Sequence, residues 1–176
     1  MTAEFEQEGF FIRPMTHADL SKVEEIDRIS FSTPWPANAF HTELSQTSFS
    51  RLWVVETDRE GEKQIVGIIV VWLIMDEAHV GTIAVHPDYR RQGIGRMLLA
   101  HALLECLQGG ARRAFLEVRR SNHAAQGLYR LFGFETTSVR RQYYQDNHED
   151  ALLMTLEPLR ADTLHALRHV APAHHR

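Results

Sequence analysis

The order of elements in this 176-residue chain predicts a mixed α/β domain with a mostly antiparallel sheet and one parallel strand pair in its middle. Three observations lead there. Only the segment from Ala78 to Val118 reads as strand, helix, strand, the crossover that makes neighbouring strands parallel and right-handed. The other strands follow one another across short polar turns, whereas a doubly wound nucleotide fold would alternate strand and helix throughout. Hydrophobic residues at 44% and charged residues at 24% suit a globular chain long enough to bury a core without staples, and the single Cys106 excludes a disulfide framework.

Each element has a local reason. Gly9 to Arg13 reads as a short strand stopped by Pro14. Thr16 with Asp19 three residues on is an N-terminal helix signal, and Leu20, Val23, Ile26 and Ile29 continue at helical period. Phe31-Ser32-Thr33-Pro34-Trp35-Pro36 breaks that helix, and a second runs from Ala37 to Ser45. Arg51 to Glu56 and Gln64 to Met75, rich in Val, Ile and Trp, flank the polar turn Asp58 to Glu62 as a hairpin. A strand over Ala78 to Val85 leads through His86-Pro87-Asp88-Tyr89 into a periodic helix from Gln92 to Gln108, closed by Gly109-Gly110. Ala111 to Val118 is the next strand, and Ser121-Asn122 caps a helix that ends near Phe132-Gly133 and contains the unfavourable Gly127. Phe134 to Arg141 and Asp150 to Leu156 close the fold around Gln145-Asp146-Asn147-His148, and Pro158 ends the regular part. The expected boundaries are therefore an acidic extension over 1–9, one domain over 10–157 and a tail over 158–176 with at most one short helix.

Charge narrows the function classes. The net charge is −4, with 14 acidic and 6 basic residues in 1–80 but 9 and 13 in 81–176. Uneven charge of this kind fits a solvated surface, or two charged partners on different faces. The acidic balance argues against nucleic acid, the longest apolar run (Ile65 to Met75) is too short to span a bilayer, and the acidic start is unlike a secretory signal. A cytoplasmic protein is expected. The eleven histidines include His165 and His169 at helical spacing, but without a fixed third ligand no metal site is expected.

The densest chemistry is Arg90-Arg91-Gln92-Gly93-Ile94-Gly95-Arg96, between a strand and a long helix. Free N–H groups and the helix dipole attract anions there, glycines let a bulky group approach the backbone, and arginines add phosphate donors. A pyrophosphate suits it. Leu98 stands where a dinucleotide loop needs its third glycine, and no Gly-Lys-Ser/Thr of a Walker loop follows.

Arg-x-x-Gly-x-Gly after Thr82-Ile83-Ala84-Val85 resembles the acetyl-coenzyme A motif of the GNAT superfamily of N-acetyltransferases. Leu116-Glu117-Val118-Arg119, Ser121-Asn122, Ala125, Leu128-Tyr129 and Leu131-Phe132-Gly133-Phe134 sharpen the resemblance to its ribosomal-protein-alanine N-acetyltransferases. Arg140-Arg141-x-Tyr143-Tyr144, Glu149-Asp150-Ala151 and Pro34-Trp35-Pro36 with Phe40 continue it, over roughly residues 10 to 157. The resemblance implies the GNAT fold, a twisted sheet with helices on both faces and the parallel pair at the acetyl-CoA site. It also implies acetyl-CoA as co-substrate, with Ile83, Ala84 and Val85 on its pantetheine arm and Arg91, Gln92, Gly93, Ile94, Gly95 and Arg96 on its pyrophosphate. Asn122 would contact the same molecule, Glu117 would be the general base and Tyr129 the general acid.

Read as residues alone, Glu117 fits equally an edge carboxylate paired with Arg119 or Arg113, Tyr129 a helix anchor and Asn122 a plain N-cap. Trp35, Tyr143 and Tyr144 are candidates for an acceptor groove, while Phe40 reads as core. An α-amine has a pKa of about 7.7–8.0 against about 10.4 for lysine, so a modest base suffices for it. The expected reaction is direct transfer, in a ternary complex, to the N-terminal alanine of a small-subunit ribosomal protein. An acetyl-cysteine route is disfavoured because Cys106 reads as core. The alternatives are another protein terminus or a small amine as acceptor, and a non-catalytic acetyl-CoA-binding module.

Overall fold

The computed structural model describes residues 5–7, 9–46, 48–59 and 61–169. Its strands are β1 (Phe5–Gln7), β2 (Phe10–Pro14), β3 (Ser50–Arg59), β4 (Glu62–Ile74), β5 (Glu77–Val85), β6 (Arg113–Arg119), β7 (Glu135–Arg140) and β8 (Ala151–Leu156). The helices are α1 (Leu20–Ser30), α2 (Ala39–Ser45), α3 (Ile94–Gln108), α4 (His123–Leu131) and α5 (Ala161–Arg168). One sheet runs in the order β1-β2-β3-β4-β5-β6-β8-β7, and only β5–β6 is parallel. The fold class is the mixed, mostly antiparallel one that the element order predicts.

Two cores lie on opposite faces of the sheet. On one side α1 and α2 bring Val23, Ile26 and Phe40 against Val54, Ile68 and Val70. On the other, α3 lies between the sheet and α5, so Met97 to Leu104 is buried without interruption and its apolar residues surround the helix. Asp19 anchors the chain entering α1, its carboxylate accepting from the Thr16 N–H at 2.8 Å and from the Arg13 guanidinium at 2.8 Å.

Several boundaries shift for backbone reasons. The second helix starts at Ala39 instead of Ala37 because Asn38 takes a left-handed φ of 64°. The long helix starts at Ile94 instead of Gln92, since Arg91 (φ 64°) and Gly93 (φ 79°) both turn left-handed ahead of it. The acidic start contributes β1 to the sheet edge. Beyond Pro158, Leu159 and then Leu164 of α5 enter the core, a packing that periodicity alone did not signal.

Candidate active site

A break in the sheet makes the site. The parallel ladder of β5 and β6 ends at Val80 opposite Leu116, yet β5 continues to Val85 and β6 to Arg119. The β4–β5 register shifts at the same point, leaving Gly81 without a partner, and a Cβ there would stand 3.0 Å from the Trp72 ring. Past this bulge the strands diverge around a cavity of about 650 Å³, lined by Val80 to Val85, Leu116 to Arg119, the glycine loop, α4 and the α1–α2 loop.

The phase of the ladder decides which peptide groups face that cavity. The His86 N–H donates to the Val66 carbonyl at 2.9 Å. Bonded pairs alternate in an antiparallel ladder, so Ala84 and Thr82 turn their peptide groups to β4, and Ile83 and Val85 turn theirs to the cavity. The Val85 carbonyl already accepts from Arg90 Nε at 3.0 Å. Ile83 is therefore the strand residue best placed to bond a guest, while Ala84 presents only its edge and buries its side chain.

At the other wall α3 begins. Its first backbone bond joins the Met97 N–H to the Gly93 carbonyl at 3.0 Å, so the N–H groups of Ile94, Gly95 and Arg96 have no intrahelical acceptor. A Cβ on Gly95 would meet only Leu128 at 3.5 Å and Val85 at 3.8 Å. No protein neighbour demands glycine there; its missing side chain leaves the helix start open to a guest, which fits a pyrophosphate. Arg91 lines the cavity but Gln92 does not. The Arg96 side chain donates from Nη2 to the His169 carbonyl beyond α5 at 3.2 Å, and Arg96 also lines the cavity.

Glu117 and Tyr129 line the same cavity from β6 and α4. Neither Arg119 nor Arg113 pairs with Glu117; Arg140 Nη1 does, at 2.5 Å, because the β7 edge brings it across. The nearby Glu117 carboxylate raises the Tyr143 hydroxyl above the usual tyrosine range. Tyr143 lies outside the cavity lining, whereas Tyr144 and Trp35 line it. Tyr129 is 6% exposed, and burial pushes its phenol well above its ordinary value, so it stays protonated. Asn122 caps α4, its Oδ1 3.1 Å from the Ala125 N–H, and also lines the cavity. Gly127 leaves α4 regular, so Tyr129 keeps its helical position.

Sequence reasoning missed Arg119. Its guanidinium lies over the Tyr144 ring at 3.8 Å and reaches Asp146 at 2.9 Å, Asn147 at 3.2 Å and Thr33 at 3.3 Å. Glu149 beside it accepts from the Ser121 N–H, and Ser121 holds its carboxyl down at about 2. The only signal was that Arg119, two residues after Glu117 on one strand, shares its face. Elsewhere, Phe40 is core, His86 caps its turn by accepting from the Asp88 N–H, and burial pushes the Cys106 thiol up to about 12. Cys106 is no nucleophile. Among the described residues no three His, Cys, Asp or Glu side chains are grouped to hold a metal ion, and no helix is long and apolar enough to cross a membrane.

Comparison with known proteins agrees with this geometry. Residues 20–134 match the model of the acetyltransferase (GNAT) family. The chain is 41% identical over 143 residues to a putative [ribosomal protein bS18]-alanine N-acetyltransferase of Bacillus subtilis, covering 81% of this chain and 92% of the relative. It is 36% identical over 160 residues to the N-alpha-acetyltransferase RimI of Mycobacterium tuberculosis, covering 88% and 95%. The crystal structure of the ribosomal-protein-S18-alanine N-acetyltransferase of Escherichia coli superposes with a TM-score of 0.75 at 33% identity, over 85% of this chain and 94% of that one.

Proposed function

Since this chain belongs to the acetyltransferase (GNAT) family and is an N-acetyltransferase, we propose that it moves acetyl from acetyl-CoA to the N-terminal alanine of ribosomal protein bS18. The observation that carries this reading is the single cavity that joins the start of α3, the free edge of Ile83, Glu117 and Tyr129. Relatives named for the same acceptor, at 41% and 34% identity, support the choice of bS18.

Bound acetyl-CoA supplies an acetyl thioester. The N–H groups of Ile94, Gly95 and Arg96 hold its pyrophosphate, with Arg91 adding charge. The cavity-facing peptide groups of Ile83 and Val85 align the pantetheine arm, and Asn122 bounds it from α4. A backbone N–H of this strand polarises the thioester carbonyl, where negative charge develops as the amine attacks.

Glu117, held by Arg140, takes the α-amine proton through a water molecule. An α-amine near neutral pH needs little help, so a carboxylate is an adequate base for it. Tyr129 donates its phenolic proton to the departing sulfur and is reprotonated, through water, by the proton that Glu117 received from the amine. The C–N bond forms, the C–S bond breaks, and the amine's proton ends on the thiol. No covalent enzyme intermediate is needed, and Cys106 is out of reach.

The test is purified protein with acetyl-CoA and peptides beginning Ala-Arg, Met-Ala or acetyl-Ala, followed by thiol release and peptide mass. Product is expected on free alanine termini only. Glu117→Gln should lower kcat by about 10²–10⁴ while leaving acetyl-CoA binding intact. Product on small amines but on no peptide would overturn the acceptor reading.

A further inference from the structure

We infer that Arg119 is a positioning residue that locks the two walls of the acceptor end together and so sets acceptor affinity without touching the reacting atoms. The inference deepens the proposed function and rests on it for the identity of the acceptor. The cavity has two walls beyond the thioester end. One is the α1–α2 loop with Phe31, Thr33 and Trp35; the other is the loop before β8, with Tyr144. The sequence separates them by more than 100 residues, and hydrogen bonds join them.

Asp146 is the link. Its Oδ2 accepts from the Ser32 and Thr33 hydroxyls, each at 3.1 Å, and both its oxygens accept from Arg119, at 3.1 and 2.9 Å. The Arg119 guanidinium also donates to the Thr33 hydroxyl at 3.3 Å, so one cation reaches both walls. Its flat face covers Tyr144 at 3.8 Å, fixing the ring that lines the cavity. The same fork donates to Asn147 at 3.2 Å and lies 3.5 Å from Glu149, whose other oxygen accepts from the Ser121 N–H just ahead of the Asn122 cap. Arg119 thereby ties the Thr33 and Tyr144 walls to the strand on which it stands.

A planar fork does this and an ammonium cannot. Lysine would keep one ion pair but lose the stacked face and the two-sided reach. None of these bonds reaches the α3 start or the Ile83 edge, so the acetyl-CoA contacts proposed at those two places stand apart from the clamp. Ordering the acceptor walls before binding removes an entropic cost from the acceptor step alone.

Two measurements decide it, on the full chain with the exposed-rim variants Asp146→Asn and Thr33→Val beside Arg119→Lys. In hydrogen exchange, residues 31–38 and 141–150 should lose protection together in Asp146→Asn and Arg119→Lys, by about tenfold for a lost charge-assisted bond. In steady-state assays with the accepted peptide, acceptor KM should rise about tenfold with kcat and acetyl-CoA Kd nearly unchanged. Loss of protection in one loop only, or an acetyl-CoA Kd that rises as far as the acceptor KM, overturns the inference. If the wild-type protein acetylates no peptide, the acceptor reading fails while the exchange data still decide the clamp.

Discussion

His101 shows how a polar residue behaves when the fold gives it nothing to bond. It lies in the middle of α3, fully buried, edge-on to Trp53 at 5.5 Å, and neither ring nitrogen has a hydrogen-bond partner. Burial pulls its pKa from the ordinary 6.5 down to about 4. Between those values the unfolded chain takes up a proton that the folded chain refuses, so stability falls as pH drops from 6.5 toward 4 and is unaffected above. His101→Leu removes both the unpaired nitrogens and that slope. It should stabilise the protein by about 1 kcal/mol at pH 7 and by more at pH 5, read from urea midpoints at the two pH values. Equal gains at both would mean that the histidine already titrates normally. Tyr129 is the counterpart at the candidate site: burial also holds it neutral, and in the proposed reaction the retained proton would be the one used.

Elements were legible wherever local chemistry is complete. The hairpin at Asp58, the crossover from β5 to β6, the cap at Asn122 and the glycines ahead of α3 all follow from signals within a few residues. What the sequence concealed is what depends on distant strands. Arg140 reaches Glu117 only because β7 folds back as an edge beyond β8, and Asp146 meets Thr33 only across the cavity mouth. The divergence of β5 from β6 was likewise invisible, since it begins at a β4–β5 bulge at Gly81, where a side chain would meet the Trp72 ring of the neighbouring strand. Gly127 tests the element scale by itself. It is exposed inside α4, and a Cβ there would touch nothing within 4 Å. Gly127→Ala should therefore stabilise by about 1 kcal/mol through helix propensity. A melting curve checks the gain, and an unchanged kcat checks that Tyr129 has not moved.

At the scale of the whole molecule the two chain ends are unequal. The N-terminal β1 adds three residues to a sheet edge, and its removal would leave β2 as the new edge with both cores intact. The C-terminal segment is different, because Leu159 ahead of α5 and Leu164 within it are both part of the core, and α5 packs on α3. Full burial of a leucine contributes about 1.5–3 kcal/mol, so these two together account for roughly 3–6 kcal/mol. That is a large part of the 5–15 kcal/mol typical of a domain. A chain ending at Glu157 should show a sharply lowered urea midpoint. The truncation also removes the His169 carbonyl that holds Arg96, freeing a side chain at the start of α3. If Arg96 is restrained there at the expense of the pyrophosphate, the surviving folded fraction should bind acetyl-CoA at least as tightly as the full chain. If α5 instead props the helix start, affinity should fall together with stability. Calorimetric titration of the folded fraction with acetyl-CoA separates the two, since the first outcome divides stability from cofactor affinity and the second couples them.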